Sequence, residues 1–164
     1  MKALVTYYSK TGNTAKLARA IYDAIDFEKD LESIENLKEV KGYDIIFCGF
    51  PVMIHGVPPK AEIFIKGLPA GQKIAFFSTH GSLKGGQLPK QAFEHALGLA
   101  SKHKVLGHFG CRGRVDAKVI DALGKQPEHA AWAEEAMGAH EHPNAADLQD
   151  AGKFARDMIS KVRK

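Results

Sequence analysis

Short apolar runs alternate with stretches of helical periodicity from one end of this chain to the other, and that alternation leaves few folds open. Ala3 to Tyr8, Asp44 to Phe50 and Lys73 to Ser78 are continuous runs of the kind that strands buried on both faces require. Val105 to Phe109 is a further run, weakened by Gly107 and His108, and the polar stretch Asp30 to Glu35 is expected to supply an edge strand. Between the runs, Ala18, Ile21, Tyr22 and Ile25 follow the spacing of one helix face. Ala61, Phe64, Ile65 and Leu68 repeat that spacing, and Pro89, Ala92, Phe93, Ala96, Leu97 and Ala100 give a third helix. Leu148, Ala151, Ala155, Met158, Ile159 and Val162 give a long last one, and Asp116 reads as an N-cap for Ala117 to Leu123. Strands alternating with helices imply an α/β fold, a parallel sheet with helices on both faces. About five strands predict the doubly wound order 2-1-3-4-5.

That order determines where a ligand sits. It binds beyond the carboxyl ends of the strands, where the winding direction switches between strands one and three. The loops after strands one, three and four, beginning at Ser9, Pro51 and Thr79, should therefore form one site. The first, Ser9-Lys10-Thr11-Gly12-Asn13-Thr14, joins a strand to a helix. The helix start offers unpaired N–H groups and the positive end of its dipole to an anion. Ser9, Thr11 and Thr14 add hydroxyls, Asn13 adds an amide, and Gly12 lets backbone approach a ligand closely. No lysine follows the glycine as a P-loop requires, and a single glycine is too few for a dinucleotide fingerprint. Neutral donors suit a monophosphate. The same residues also fit an ordinary helix cap, with Asn13 as the capping side chain.

The second loop, Pro51-Val52-Met53-Ile54-His55-Gly56-Val57-Pro58-Pro59, is unusually apolar for a connection. A flat hydrophobic ring would pack against it; a loop tucked onto the core or into a partner would read the same way. The third, Thr79-His80-Gly81-Ser82-Leu83-Lys84-Gly85-Gly86, is rich in glycine and hydroxyls. It suits the approach of backbone amides to a heterocycle, or a plain connector.

With these loops in place the chain resembles the flavodoxin-like FMN proteins. Their first loop reads Ser/Thr-x-Thr-Gly-Asn-Thr and binds the FMN phosphate, and Ser9 to Thr14 match it at every defined position. The resemblance implies that Pro51, Val52, Met53, Ile54, His55, Gly56 and Val57 flank the isoalloxazine, with His55-Gly56 at the turn near N5. It places Thr79, His80, Gly81 and Ser82 on the pyrimidine side. The segment Asn144 to Leu148, leading into the last helix, is similar to that family as well. The chain departs from acidic electron carriers in being basic, in having no Trp or Tyr in either ring loop, and in placing His55, His80 and Lys84 there. Cations near the pyrimidine edge imply a less negative flavin potential than in those carriers. The function implied is electron transfer between redox partners, with no catalytic side chain. The alternatives are an FMN-dependent NAD(P)H:quinone-type oxidoreductase and a binding module that has lost the flavin.

At 164 residues, 45% apolar and 26% charged, the chain is expected to form a single domain over 1–164. The net charge of +4 suggests an acidic redox partner, such as a ferredoxin-type protein. Basic residues form no stripe with aromatic platforms, which argues against nucleic acid. No apolar run is long enough to cross a bilayer and no signal-peptide pattern opens the chain, so a cytoplasmic protein is expected. Cys48 and Cys111 form no paired motif; Cys48 is expected in the core and Cys111 in a loop at the site end, too far apart to be bridged. His140-Glu141-His142 has no further ligand placed beside it, so no metal is expected.

Overall fold

The sheet is parallel and five-stranded, in the order β2-β1-β3-β4-β5. A computed structural model describes residues 1–53, 56–82 and 86–164. Its elements are β1 (Lys2–Tyr7), α1 (Asn13–Asp23), β2 (Glu28–Ser33), β3 (Ile45–Pro51), α2 (Pro59–Gly67), β4 (Lys73–His80) and α3 (Gln87–Leu99). They continue with β5 (Lys104–Arg112), α4 (Ala117–Gly124), α5 (Ala130–Met137) and α6 (Ala145–Arg163). Short 3-10 turns at Ile34–Asn36 and Pro127–His129 complete the order.

Side chains alternate across each strand, which sorts the core into two layers. Val5, Phe47 and Phe77 face Leu17 and Ile21 of α1 and Phe154 and Ala155 of α6. Leu4, Ile46 and Phe76 face Ala61 and Ile65 of α2 and Ala92 and Ala96 of α3. Between β2 and β3 the chain makes only the 3-10 turn. Ile34, Leu37, Val40 and Tyr43 close the second layer there in place of a helix.

β2 pairs with β1 along its whole length despite its polar sequence, because ionic groups anchor it. Lys2 Nζ lies 3.1 Å from Glu28 Oε1 and 3.0 Å from Asp30 Oδ2. The Tyr43 hydroxyl donates to Asp30 at 2.7 Å, and that bond, with the one from Lys2, holds the Asp30 carboxyl below the usual range. Asp116 caps α4 as expected, its carboxylate accepting the Lys118 N–H at 2.8 Å. Asn144 and Asp147 form a capping box that opens α6.

One expectation is corrected. β5 runs on to Arg112, so Cys111 lies inside a strand and is buried rather than in a loop. Cys48 faces α2 and α3 whereas Cys111 faces α1 and α6, so the sheet itself separates the two thiols. Burial pushes the Cys48 thiol up to about 12.

Candidate functional site

The exit of β1 is held beside β3 by the Tyr8 N–H, which donates to the Gly49 carbonyl at 3.0 Å. The chain then turns tightly. Ser9 Oγ accepts the N–H groups of Gly12, at 3.1 Å, and Ala15, at 3.4 Å. Gly12 is the N-cap of α1, in the left-handed region at φ 94°, and has no side chain with which to cap the helix. The capping role expected of Asn13 is therefore corrected: Asn13 is the first helical residue, and its Nδ2 donates to the Arg114 carbonyl at 2.7 Å. No acidic residue stands in the first turn. Lys10 and Thr11 are exposed, and among the described residues nothing beyond its two chain neighbours comes within 4 Å of a Cβ built on Gly12.

Thr14 and Thr79 join two of the three loops. Their hydroxyls share a buried hydrogen bond of 2.9 Å. The Thr79 carbonyl also accepts the Val52 N–H at 2.8 Å, which ties in the loop after β3. Thr79 and His80 themselves end β4, so the loop proper starts two residues later than the apolar run suggested. Past Val52, Met53 and Gly56 exchange backbone hydrogen bonds of 3.1 and 2.8 Å, making a tight hairpin. Of the residues expected to flank the ring, Ile54 and His55, the latter expected with Gly56 at the turn, lie outside the described residues, as do Leu83, Lys84 and Gly85. Gly56 has φ +93°, and a Cβ there would lie 2.9 Å from His95 Nδ1.

His95 was not anticipated. It projects from α3, and its Nδ1 accepts the buried Val57 N–H at 3.2 Å. Its Nε2 stands 4.0 Å from Glu62 Oε2 on α2. The imidazole thus clamps the base of the apolar hairpin. His95→Phe should leave the Val57 N–H without an acceptor and cost about 1–3 kcal/mol in urea unfolding. A stability equal to wild type would show that the hairpin holds itself.

The third loop rests on residues that follow β5. His80 is 5% exposed, and its Nδ1–H donates to the Ser82 carbonyl at 2.8 Å. Gly81 and Ser82 are buried beside it. A Cβ on Gly81 would lie 2.6 Å from Val115 Cγ2 and 3.3 Å from Ala136 Cβ. The Arg112 guanidinium spans this junction. It donates to the carbonyls of Glu135 at 2.5 Å, Gly138 at 3.3 Å and Gly81 at 3.4 Å. The Gly113 N–H donates to the His80 carbonyl at 2.8 Å, and the Arg114 N–H donates to the His142 carbonyl at 2.9 Å. A Cβ on Gly113 would come within 2.9 Å of Asn13 Nδ2 and 3.2 Å of Thr79 Cβ. Residues 112–115 therefore form a fourth wall. The signal that could have found it is topological, since the end of β5 must emerge beside the ends of β1, β3 and β4. The His142 imidazole is engaged with Asp147, Nδ1 to Oδ2 at 2.6 Å.

Behind the third loop, His108 Nε2 lies 2.9 Å from Ser78 Oγ, and its ring stacks on Phe93 at 4.5 Å. Burial, and secondarily the neighbouring His80, hold this imidazole down near 4, against an ordinary value of 6.5. The unfolded chain then takes up a proton that the folded one refuses. Stability from this group is complete above pH 6.5 and is lost as pH falls towards 4. About 2 kcal/mol should disappear between pH 7 and pH 5, and His108→Gln should flatten that part of the urea-midpoint profile. An unchanged slope in the variant would remove His108 as its cause.

A parallel sheet of this order, with a phosphate-sized turn, an apolar hairpin and a glycine-containing strand exit brought together at the switch point, defines a doubly wound α/β protein of the cofactor-binding type. Residues 4–156 match the family model of the flavodoxin domain, and the chain belongs to that family. It is 31% identical over 175 residues to the flavodoxin-like domain-containing protein BilS of Clostridioides difficile (strain CD3), covering 99% of this chain and 98% of that one. A flavodoxin from the domain Archaea shares the fold over the full length of both chains, with a TM-score of 0.66 at 20% identity. A flavoprotein in complex with FMN from Lactobacillus acidophilus covers 74% of this chain and 97% of its own, with a TM-score of 0.52 at 20% identity.

Proposed function

We propose that this chain binds FMN and carries electrons between redox partner proteins. The observation that carries the reading is Thr79. Its hydroxyl holds the phosphate turn through Thr14, while its carbonyl holds the ring loop through Val52. The two halves of a mononucleotide site are thereby set against each other by one residue.

The donor set fits the cofactor. Ser9 accepts two backbone N–H groups through Oγ, which leaves its own hydroxyl proton to donate to a phosphate oxygen. The first turn of α1 has no N-cap side chain and no acidic residue to compete with an anion; the one side chain bonded there, Ser9, is a neutral hydroxyl. The open side of Gly12 leaves room for the phosphate. Ser9 to Thr14 would hold the phosphate, with Lys10 and Thr11 at its rim. Pro51, Val52, Met53, Gly56 and Val57 would flank the ring, and Thr79 to Ser82 would face its polar edge. When bound, FMN supplies the one- and two-electron redox chemistry. The residues of the chain bind it, orient it and exclude water; none need act as an acid or base. No helix among the described residues is long and apolar enough to cross a membrane.

Protein stripped of ligand should take up one equivalent of FMN with quenching of flavin fluorescence, and the loaded protein should oxidise NAD(P)H slowly at best without a partner. Rapid NAD(P)H turnover by the loaded protein alone would favour the NAD(P)H:quinone-type oxidoreductase. Failure to take up FMN would leave a binding module that keeps only the fold.

A further inference from the structure

Between β5 and α6 the chain makes a helical hairpin whose surface differs from the rest of the molecule. None of the residues of α4 is buried, although Val119, Ile120 and Leu123 are apolar. α5 packs against it only in part. An open groove of about 680 Å³ remains between the two, lined by Ile120, Gly124, Ala130, Ala133 and Met137. Val119 is 42% exposed and Met137 57% exposed. Asp121, Lys125 and Glu134 rim the groove.

Charge sets the hairpin apart as well. From Asp116 to His142 there are six carboxylates, at Asp116, Asp121, Glu128, Glu134, Glu135 and Glu141, against the two amines of Lys118 and Lys125. All eight residues are exposed. The segment therefore carries −4, and since the whole chain carries +4, the remainder carries +8.

We propose that the α4–α5 hairpin is the docking surface for the redox partner, a protein that presents a basic face and inserts an apolar side chain into the groove. This rests on the electron-carrier reading. Position argues for it first. Arg112 bonds the carbonyls of Glu135 and Gly138 at the end of α5 and that of Gly81 in the ring-side loop, so an occupant of the hairpin arrives beside the cofactor edge. Charge argues for it second. Salt screens charges over about 10 Å, so a docking partner feels the local carboxylates rather than the net charge of the chain. The acidic partner expected from the overall balance is replaced by one with a basic contact face. Met137 suits such a contact, because an unbranched thioether repacks around whatever side chain enters.

Ferricytochrome c, a basic haem protein, serves as the probe. FMN-loaded protein is reduced with dithionite and mixed with it in stopped flow. Each haem iron takes one electron, so one reduced FMN, giving up two electrons and two protons to haem and solvent respectively, reduces two cytochromes. The second-order rate constant should fall as salt is raised. The triple variant Asp121→Asn, Glu128→Gln, Glu134→Gln should lower it about tenfold at low salt. Met137→Ser should lower it at high salt too, and neither variant should change the rate with benzoquinone, a small neutral acceptor. If the triple variant reduces cytochrome c as fast as wild type, the hairpin is not the docking surface, while the carrier reading stands. If wild-type protein reduces neither acceptor, the carrier reading itself fails. If wild type sediments as a dimer that Met137→Ser dissociates, a second copy occupies the groove and the proposal is overturned.

Discussion

Gly49→Ala is expected to destabilise the protein by about 3 kcal/mol or more, because the new methyl has nowhere to go. A Cβ at Gly49 would lie 2.1 Å from Cε2, 2.2 Å from Cζ and 2.7 Å from Cδ2 of Phe77. Gly49 on β3 and Phe77 on β4 are direct partners in the sheet, and the ring lies across the glycine. Phe77 is fully buried, so the ring cannot swing into solvent. It would have to push into the layer beneath α1 and α6, where Phe47 already meets Phe154 edge-on at 6.2 Å. The urea midpoint should drop with little change in slope. Phe77→Leu should cost less in the Gly49→Ala background than alone, since only there does the smaller side chain relieve a clash. A loss under about 1 kcal/mol would mean that the ring repacks freely.

Gly12→Val should raise the dissociation constant for FMN about a hundredfold, equivalent to roughly 2.7 kcal/mol. Two effects combine. Gly12 sits at φ 94°, where a branched side chain strains the backbone by about 1–2 kcal/mol. The side chain would also project into the open space of the turn proposed to hold the phosphate, displacing the ligand rather than a neighbour. Gly42→Val separates the two effects. Gly42 has φ +78° and equally open surroundings, but it precedes β3 at the other end of the sheet. It should lose comparable stability and keep FMN affinity. Equal affinity losses in both variants would mean that strain alone accounts for the effect and that Gly12 is no part of the phosphate site.

The parts of this architecture that were legible in the sequence are those whose cause is local. β3 is buried at every residue from Ile45 to Phe50, so a continuous apolar run announces it. The turn at Ser9 to Thr14 is contiguous, so its chemistry can be read in one place. β5 reads as shorter than it is, because its irregularities are satisfied from elsewhere. Gly107 makes room for Met158, whose Sδ would lie 2.8 Å from a Cβ there, and His108 finds Ser78. α5 was missed because its buried residues, Ala133 and Ala136, are too small to give an apolar period. His95 and Arg112 were missed for a different reason. They act across 38 and 31 residues, on the carbonyls and amides of loops, and backbone groups have no signature in a sequence.

The two core layers also differ in when they can be completed. The layer under α2 and α3 draws on residues no later than Val105. The opposite layer needs Phe154, Ala155, Met158 and Ile159 from α6, which follows all five strands in the chain. A nascent chain can therefore close one side of its sheet while the other, covered by α1 alone, still lacks the Phe154 ring that packs on Phe47 and Phe109. During that interval the exposed strands are the feature that chaperones and aggregation compete for. The moment of safety comes with the emergence of α6 from the ribosome, not with the formation of the sheet.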